Sequence, residues 1–130
     1  MQNGRPVEKW PGTVLLVDDE PKIRELLREF LEMSGFTVVT AESGEQALQS
    51  IMQSPPRVVL LDIRMPGMDG LLTLKHLRVH QPNLPVIIIT QDEQEDTMKE
   101  AVLLGAYDYL IKPFTFTQLK TLLLDKIFTS

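Results

Sequence analysis

Several polar residues of this chain stand where apolar runs stop. Asp18 and Asp19 follow "TVLLV" (13–17) directly, and Glu20 comes next. Asp62 closes "RVVLLD" (57–62), Thr90 closes "PVIIIT" (85–90), and Lys112 ends "YDYLIK" (107–112), with Pro113 after it. Three carboxylates brought close together raise one another's pKa unless a cation holds them. A hard divalent ion with oxygen ligands suits such a set, and a partly hydrated Mg²⁺ needs only a few carboxylates. An ammonium and a hydroxyl beside it complete a cradle for the oxygens of a phosphoryl group. A carboxylate next to that cradle can attack phosphorus and become an aspartyl phosphate.

That chemistry requires the strand ends to converge. The apolar runs 13–17, 37–41, 57–62, 85–90 and 107–112 are rich in Val and Ile and mostly lack polar alternation. They read as strands covered on both faces, as in parallel sheets. Helical spacing fills the intervals. Ile23, Leu26, Leu27, Phe30 and Leu31 form one stripe behind Pro21, which suits a first helical turn, and Gly35 suits the position after the helix. Ser43 caps a second segment carrying Ala47, Leu48, Ile51 and Met52, stopped by Pro55-Pro56. Leu71, Leu74 and Leu77 mark a third, capped by Asp69, and Pro66, Gly67 and Gly70 form the turn before it. Met98, Ala101 and Val102 mark a fourth ending near Gly105, and Leu119, Leu122, Leu123 and Ile127 mark the last. Five β-α repeats with short links imply an α/β fold: a doubly wound parallel sheet, helices on both faces, ligands at the carboxyl edge.

Length and composition fit one domain: a polar tail over 1–12, in which Trp10 reads as loose before it reads as packed on the domain edge, and a folded unit over 13–130. The 13 basic and 18 acidic residues give a net charge of −5, which argues against general nucleic-acid affinity. The absence of cysteine excludes disulfides, zinc–thiolate sites and thiol catalysis. No apolar run approaches a membrane span and the start lacks a signal-peptide core, so a cytoplasmic protein is expected.

The motifs "LLVDDEP", "VVLLDIRMPGMDG", "VIIIT" and "GAYDYLIKPF", in this order, resemble those of bacterial response-regulator receiver domains, from Thr13 to about Ile127. The resemblance implies a five-stranded flavodoxin-like sheet in the order 2-1-3-4-5, with five helices in a three-layer sandwich. It implies Asp62 as phosphoacceptor, and Asp19, with Asp18, Asp62 and the Arg64 carbonyl, as ligands of Mg²⁺ (or Mn²⁺). It makes Thr90 the switch hydroxyl, Tyr109 the aromatic that follows it inward, and Lys112 the phosphate-pairing lysine, with a cis Lys112–Pro113 bond. The implied function is a two-component switch, not an enzyme with a turnover product. A histidine kinase or phosphotransfer protein supplies the phosphoryl group, and an output domain or target reads a surface of the fourth helix, fifth strand and fifth helix. Homodimers through that surface fit the resemblance; no nucleic-acid-binding, membrane or output element is expected within these residues.

Receivers usually carry a small residue after the switch threonine; here it is Gln91, which would tune access or rate together with Arg64 and Asp92, expected to pair across the pocket mouth. Duller readings exist. Asp18 and Asp19 also favour a helix N-terminus, which leaves Asp62 and Lys112 unexplained. The acidic run 92–100 reads as a helix start or a partner surface. His76 and His80 read as surface residues, and Met65, Met68 and Met98 as gap-filling apolar groups. A haloacid-dehalogenase-like phosphatase would need a second acid where Arg64 stands, and a flavodoxin-like FMN carrier would need a neutral loop where Asp18-Asp19-Glu20 stand. A degenerate receiver working as a phosphate-independent interaction module is the remaining alternative.

Overall fold

The computed structural model describes residues 9–65, 69–91 and 95–128. Strand and helix alternate throughout: β1 Thr13–Val17, α1 Pro21–Met33, β2 Thr37–Ala41, α2 Gly44–Gln53, β3 Val58–Asp62, α3 Gly70–His80, β4 Val86–Thr90, α4 Glu95–Leu103, β5 Asp108–Ile111 and α5 Phe116–Leu123. All pairings are parallel and the order is β2-β1-β3-β4-β5. The chain therefore reverses direction across the sheet between β1 and β3, where doubly wound folds bind ligands.

Period two divides the strands between two cores. Val14, Leu16, Val58, Leu60, Ile87 and Ile89 face Leu27 and Leu31 of α1 and Leu119 and Leu123 of α5. Leu15, Val17, Val59, Leu61, Val86 and Ile88 face Ile51 of α2, Leu74 and Leu77 of α3 and Ala101 of α4. Each fully buried Leu, Ile or Val contributes roughly 1.5–3 kcal/mol relative to exposure. Complete burial holds for β3 and β4 and nearly for β1, but not for the edges. On β2, Thr37, Val39 and Thr40 are exposed, and on β5 Tyr109 is 46% exposed. Only interior strands have helices over both faces along their whole length.

Local chemistry explains the helix boundaries. Ser43 accepts from Gln46 N, Asp69 from Leu72 N, and Thr115 and Gln118 form a reciprocal capping box. Gly35 and Gly105 take positive φ after α1 and α4. Arg78 ties the far ends of α3 and α4 together: its guanidinium donates to the carbonyls of Gln81, Leu84, Leu104 and Gly105 at 2.7–3.0 Å.

Trp10 is not loose. Its N–H donates to Gly35 O at 3.0 Å, and its ring lies 6.4 Å from Phe36 and 6.2 Å from Phe128. A π-helical turn, Leu124–Phe128, continues α5 and brings both Ile127 and Phe128 into the core. Arg57 lies over the Phe128 ring at 4.8 Å and donates to Ile127 O. Thus an aromatic cluster closes the amino edge of the sheet, opposite the strand ends that carry the acids.

Candidate functional site

At the carboxyl edge, Asp18, Asp19 and Asp62 each offer a carboxylate oxygen, and these oxygens lie within 4.8 Å of one another. Asp18 is held by its position between two strands: its N–H donates to Ala41 O at 3.1 Å, and its Oδ1 accepts from Glu20 N at 2.9 Å. That second bond turns the chain into α1 and leaves Pro21, which has no N–H, at the first helical turn. Asp62 is the last residue of β3, 4% exposed, and its Oδ1 accepts from Arg64 N at 3.0 Å.

Lys112 reaches the cluster from beyond β5. Its Nζ lies 3.4 Å from Asp18 Oδ2 and 3.3 Å from Asp62 Oδ2. Its N–H donates to Thr90 O at 2.7 Å, and its peptide bond to Pro113 is cis. Lys112 meets two of these three acids, and its single charge does not offset the three carboxylates. Burial pushes the Asp62 carboxyl above the usual carboxylate range, more than the attraction of Lys112 and the Arg64 N–H pull it back, and Asp18 adds to the rise. Lys112 is drawn down by its own burial, but Asp62 and Asp18 outweigh this and hold it above the ordinary lysine value. The donor set fits a hard divalent cation: oxygen ligands only, close enough to share an ion, with charge that Lys112 does not neutralise.

Thr90 is completely buried at the end of β4. Behind it lies a cavity of about 220 Å³ beneath α4, lined among others by Ile63, Ile88, Met98, Ala101 and Tyr109. Gln91 is exposed and, with Lys112, borders an apolar groove of about 300 Å³ formed with Ile23, Leu26, Phe114 and Phe116. Arg64 is exposed beside Asp62. Asp92, its expected partner, lies outside the described residues, as do Pro66, Gly67, Met68 and most of the start of the acidic run. The fold therefore gathers Asp18, Asp19, Asp62, Thr90 and Lys112 at one edge, with Tyr109 on the far side of Thr90.

A family model, the response regulator receiver domain, matches residues 14–124. The chain belongs to the response regulator receiver family. This receiver domain is 42% identical over 106 residues to the regulatory protein AtoC of Escherichia coli K12, covering 82% of the chain and 23% of AtoC. It is 46% identical over 103 residues to the DNA-binding transcriptional regulator NtrC of the same organism, covering 79% and 22%. The chain thus spans under a quarter of the length of these curated relatives. Among solved structures, the receiver domain of NtrX from Brucella abortus superposes with a TM-score of 0.83 at 36% identity, covering 90% of this chain and 99% of that one. The response regulator TrrA of Thermotoga maritima, in complex with Mg²⁺–BeF, gives 0.79 at 35% identity, covering 87% and 96%.

Two residues of this receiver domain have roles that pattern reading did not assign. Gly70 opens α3 directly against Asp62: a Cβ there would collide with Ile63 Cα and lie 2.6 Å from Asp62 O. Its glycine identity was legible only as a turn signal. Arg24, on the first turns of α1, donates from Nη1 to Asp18 O at 2.7 Å. Only its spacing, six residues past the first acid, hinted at this.

Proposed function

We propose that this receiver domain is a two-component switch that takes a phosphoryl group on Asp62. The single observation that carries the reading is the convergence of three carboxylates with Lys112 Nζ 3.3–3.4 Å from two of them. Asp62 Oδ2 is the attacking oxygen; its bond to phosphorus forms as the donor's phosphoryl bond breaks, and the donor keeps that electron pair. Asp18, Asp19, Asp62 and the Arg64 carbonyl would hold Mg²⁺ (or Mn²⁺), which supplies positive charge beside the phosphoryl oxygens when bound. Lys112, already turned toward Asp62, pairs with a phosphoryl oxygen, and Thr90 donates its hydroxyl to another. The Mg²⁺–BeF complex of the related TrrA is consistent with such a donor set.

Thr90 is the proposed switch because it joins the phosphoryl site to the cavity beneath α4. Its turn toward the phosphoryl group leaves space that Tyr109, bordering the same cavity, can enter. The reporting surface is then α4, β5 and α5, where Val102 and Leu103 of α4 and Tyr109 of β5 are exposed. A histidine kinase or phosphotransfer protein is the proposed donor, and an output domain or target protein the reader of that surface. Among the described residues no helix is long and apolar enough to cross a membrane.

The test is intact-mass analysis after treatment with acetyl phosphate and Mg²⁺. One added phosphoryl group is expected in the wild type and none in Asp62→Asn. Equal labelling of the variant would move the acceptor elsewhere, and no labelling of either would favour a phosphate-independent interaction module.

A further inference from the structure

We propose that Arg24 is a positioning residue of the acidic site, acting by gripping the peptide that joins Asp18 to Asp19. This rests on the reading of Asp18, Asp19 and Asp62 as a divalent-cation site.

The Asp18 carbonyl belongs to the same planar peptide as the Asp19 N–H. Orienting that plane sets the direction in which Asp19 leaves the strand end, and so where its carboxylate projects. Arg24 Nη1 donates to this carbonyl at 2.7 Å, a short bond from a charged donor. The Arg24 side chain is only 18% exposed, and its Nη2 lies 3.8 Å from Glu42 Oε2, in the loop between β2 and α2. Arg24 therefore spans three segments: α1, the acidic turn after β1 and the turn after β2. Glu42 holds the other end of the guanidinium from the far side of the acidic turn.

A positioning role and a mere charge role differ in sign. As a nearby positive charge alone, Arg24 would repel a divalent ion, and its removal would tighten binding. As the residue that orients the Asp18–Asp19 peptide, its removal must weaken binding.

The experiment is isothermal titration of the full chain with MgCl₂ at neutral pH, on wild type, Arg24→Met, Arg24→Lys and Glu42→Gln, with amide NMR of the metal-free proteins. Losing one charge-assisted hydrogen bond from the metal-organising turn should raise the Mg²⁺ dissociation constant about tenfold in Arg24→Met, equivalent to about 1.4 kcal/mol. Arg24→Lys keeps the charge but not the planar fork, and should lose about threefold. Glu42→Gln loosens an exposed pair and should lose about twofold. The Asp19 amide resonance should move in both Arg24 variants before any metal is added. Unchanged or tighter Mg²⁺ binding in Arg24→Met overturns the proposal. Should Arg24→Met fail to fold, wild-type affinity in both Arg24→Lys and Glu42→Gln overturns it equally. A wild type that does not bind Mg²⁺ at all overturns the metal-site reading beneath it.

Discussion

Replacing Asp62 by Asn should stabilise the metal-free protein while abolishing its phosphorylation. The side chain keeps its shape and its Oδ1 can still accept from Arg64 N, while its amide NH₂ replaces the oxygen that met Lys112, so the charge and one hydrogen bond are lost together. Asp62 has two carboxylate neighbours within 4.8 Å and one ammonium at 3.3 Å. The attraction of Lys112 at 3.3 Å and the Arg64 N–H favour the charge, and Asp18 opposes it by less than Lys112 favours it. Burial of the carboxylate outweighs that attraction and disfavours the charged form. We therefore expect Asp62→Asn to be about 1–2 kcal/mol more stable than wild type at pH 7 without metal. The pH dependence follows from the raised pKa. Protonated Asp62 is the form the fold favours, so its contribution is present below the unfolded pKa and is lost as pH rises through the folded value. The gap between variant and wild type should accordingly shrink as pH falls toward the usual carboxylate range. Lys112, raised above its own ordinary value, stays charged throughout that window and cannot produce the trend. Urea denaturation in chelator at several pH values measures the gap. For a dissociation constant on the order of 1 mM, about 10 mM Mg²⁺ should stabilise wild type by about 1.4 kcal/mol and the variant much less. A variant less stable than wild type at pH 7 in chelator, or a gap that does not change with pH, would refute the electrostatic account.

Gly70→Ala should cost about 1–3 kcal/mol in urea denaturation and slow acetyl-phosphate labelling, because the new methyl group must push α3 off the Asp62 backbone; wild-type values for both would show that α3 shifts freely. Trp10→Ala should cost about 2 kcal/mol, less than the ~3–5 kcal/mol of a fully buried Trp because Trp10 is only partly covered; an unchanged midpoint would return Trp10 to a loose tail. Gln91→Ala should alter the rates of phosphoryl gain and loss by mass-resolved kinetics, since Gln91 borders the groove beside Lys112; identical rates in both directions would remove it from the access path. Metal binding is best followed by amide NMR, because the sole tryptophan sits at the opposite edge of the sheet from the acids.

The alternation of apolar runs and helical stripes was legible because each strand and each helix carries its own period. Asp62, Thr90 and Lys112 stood out because each closes such a run, and Ser43 and Asp69 because a cap is a local hydrogen bond. What failed to show was everything set by distant neighbours. Val39 and Tyr109 look as buried as Leu60 in one dimension, yet they lie on edge strands with a face open to water. Trp10 sits among Gly and Pro in a stretch that reads as tail, and it is Phe36 and Phe128 that make it part of the core. The π turn that brings Phe128 there has no local signature in "LDKIF".

By itself the sequence determined the α/β class, the order of elements and which polar residues close the strands, since these depend on residue type and near-neighbour spacing. Only the tertiary structure decided that Arg24 donates to the Asp18 carbonyl and that Gly70 packs against the Asp62 backbone. It also decided that the Lys112 ammonium lies against both Asp18 and Asp62. Those facts depend on distances across the sheet edge, where residues up to 94 positions apart meet, and no local period encodes such distances.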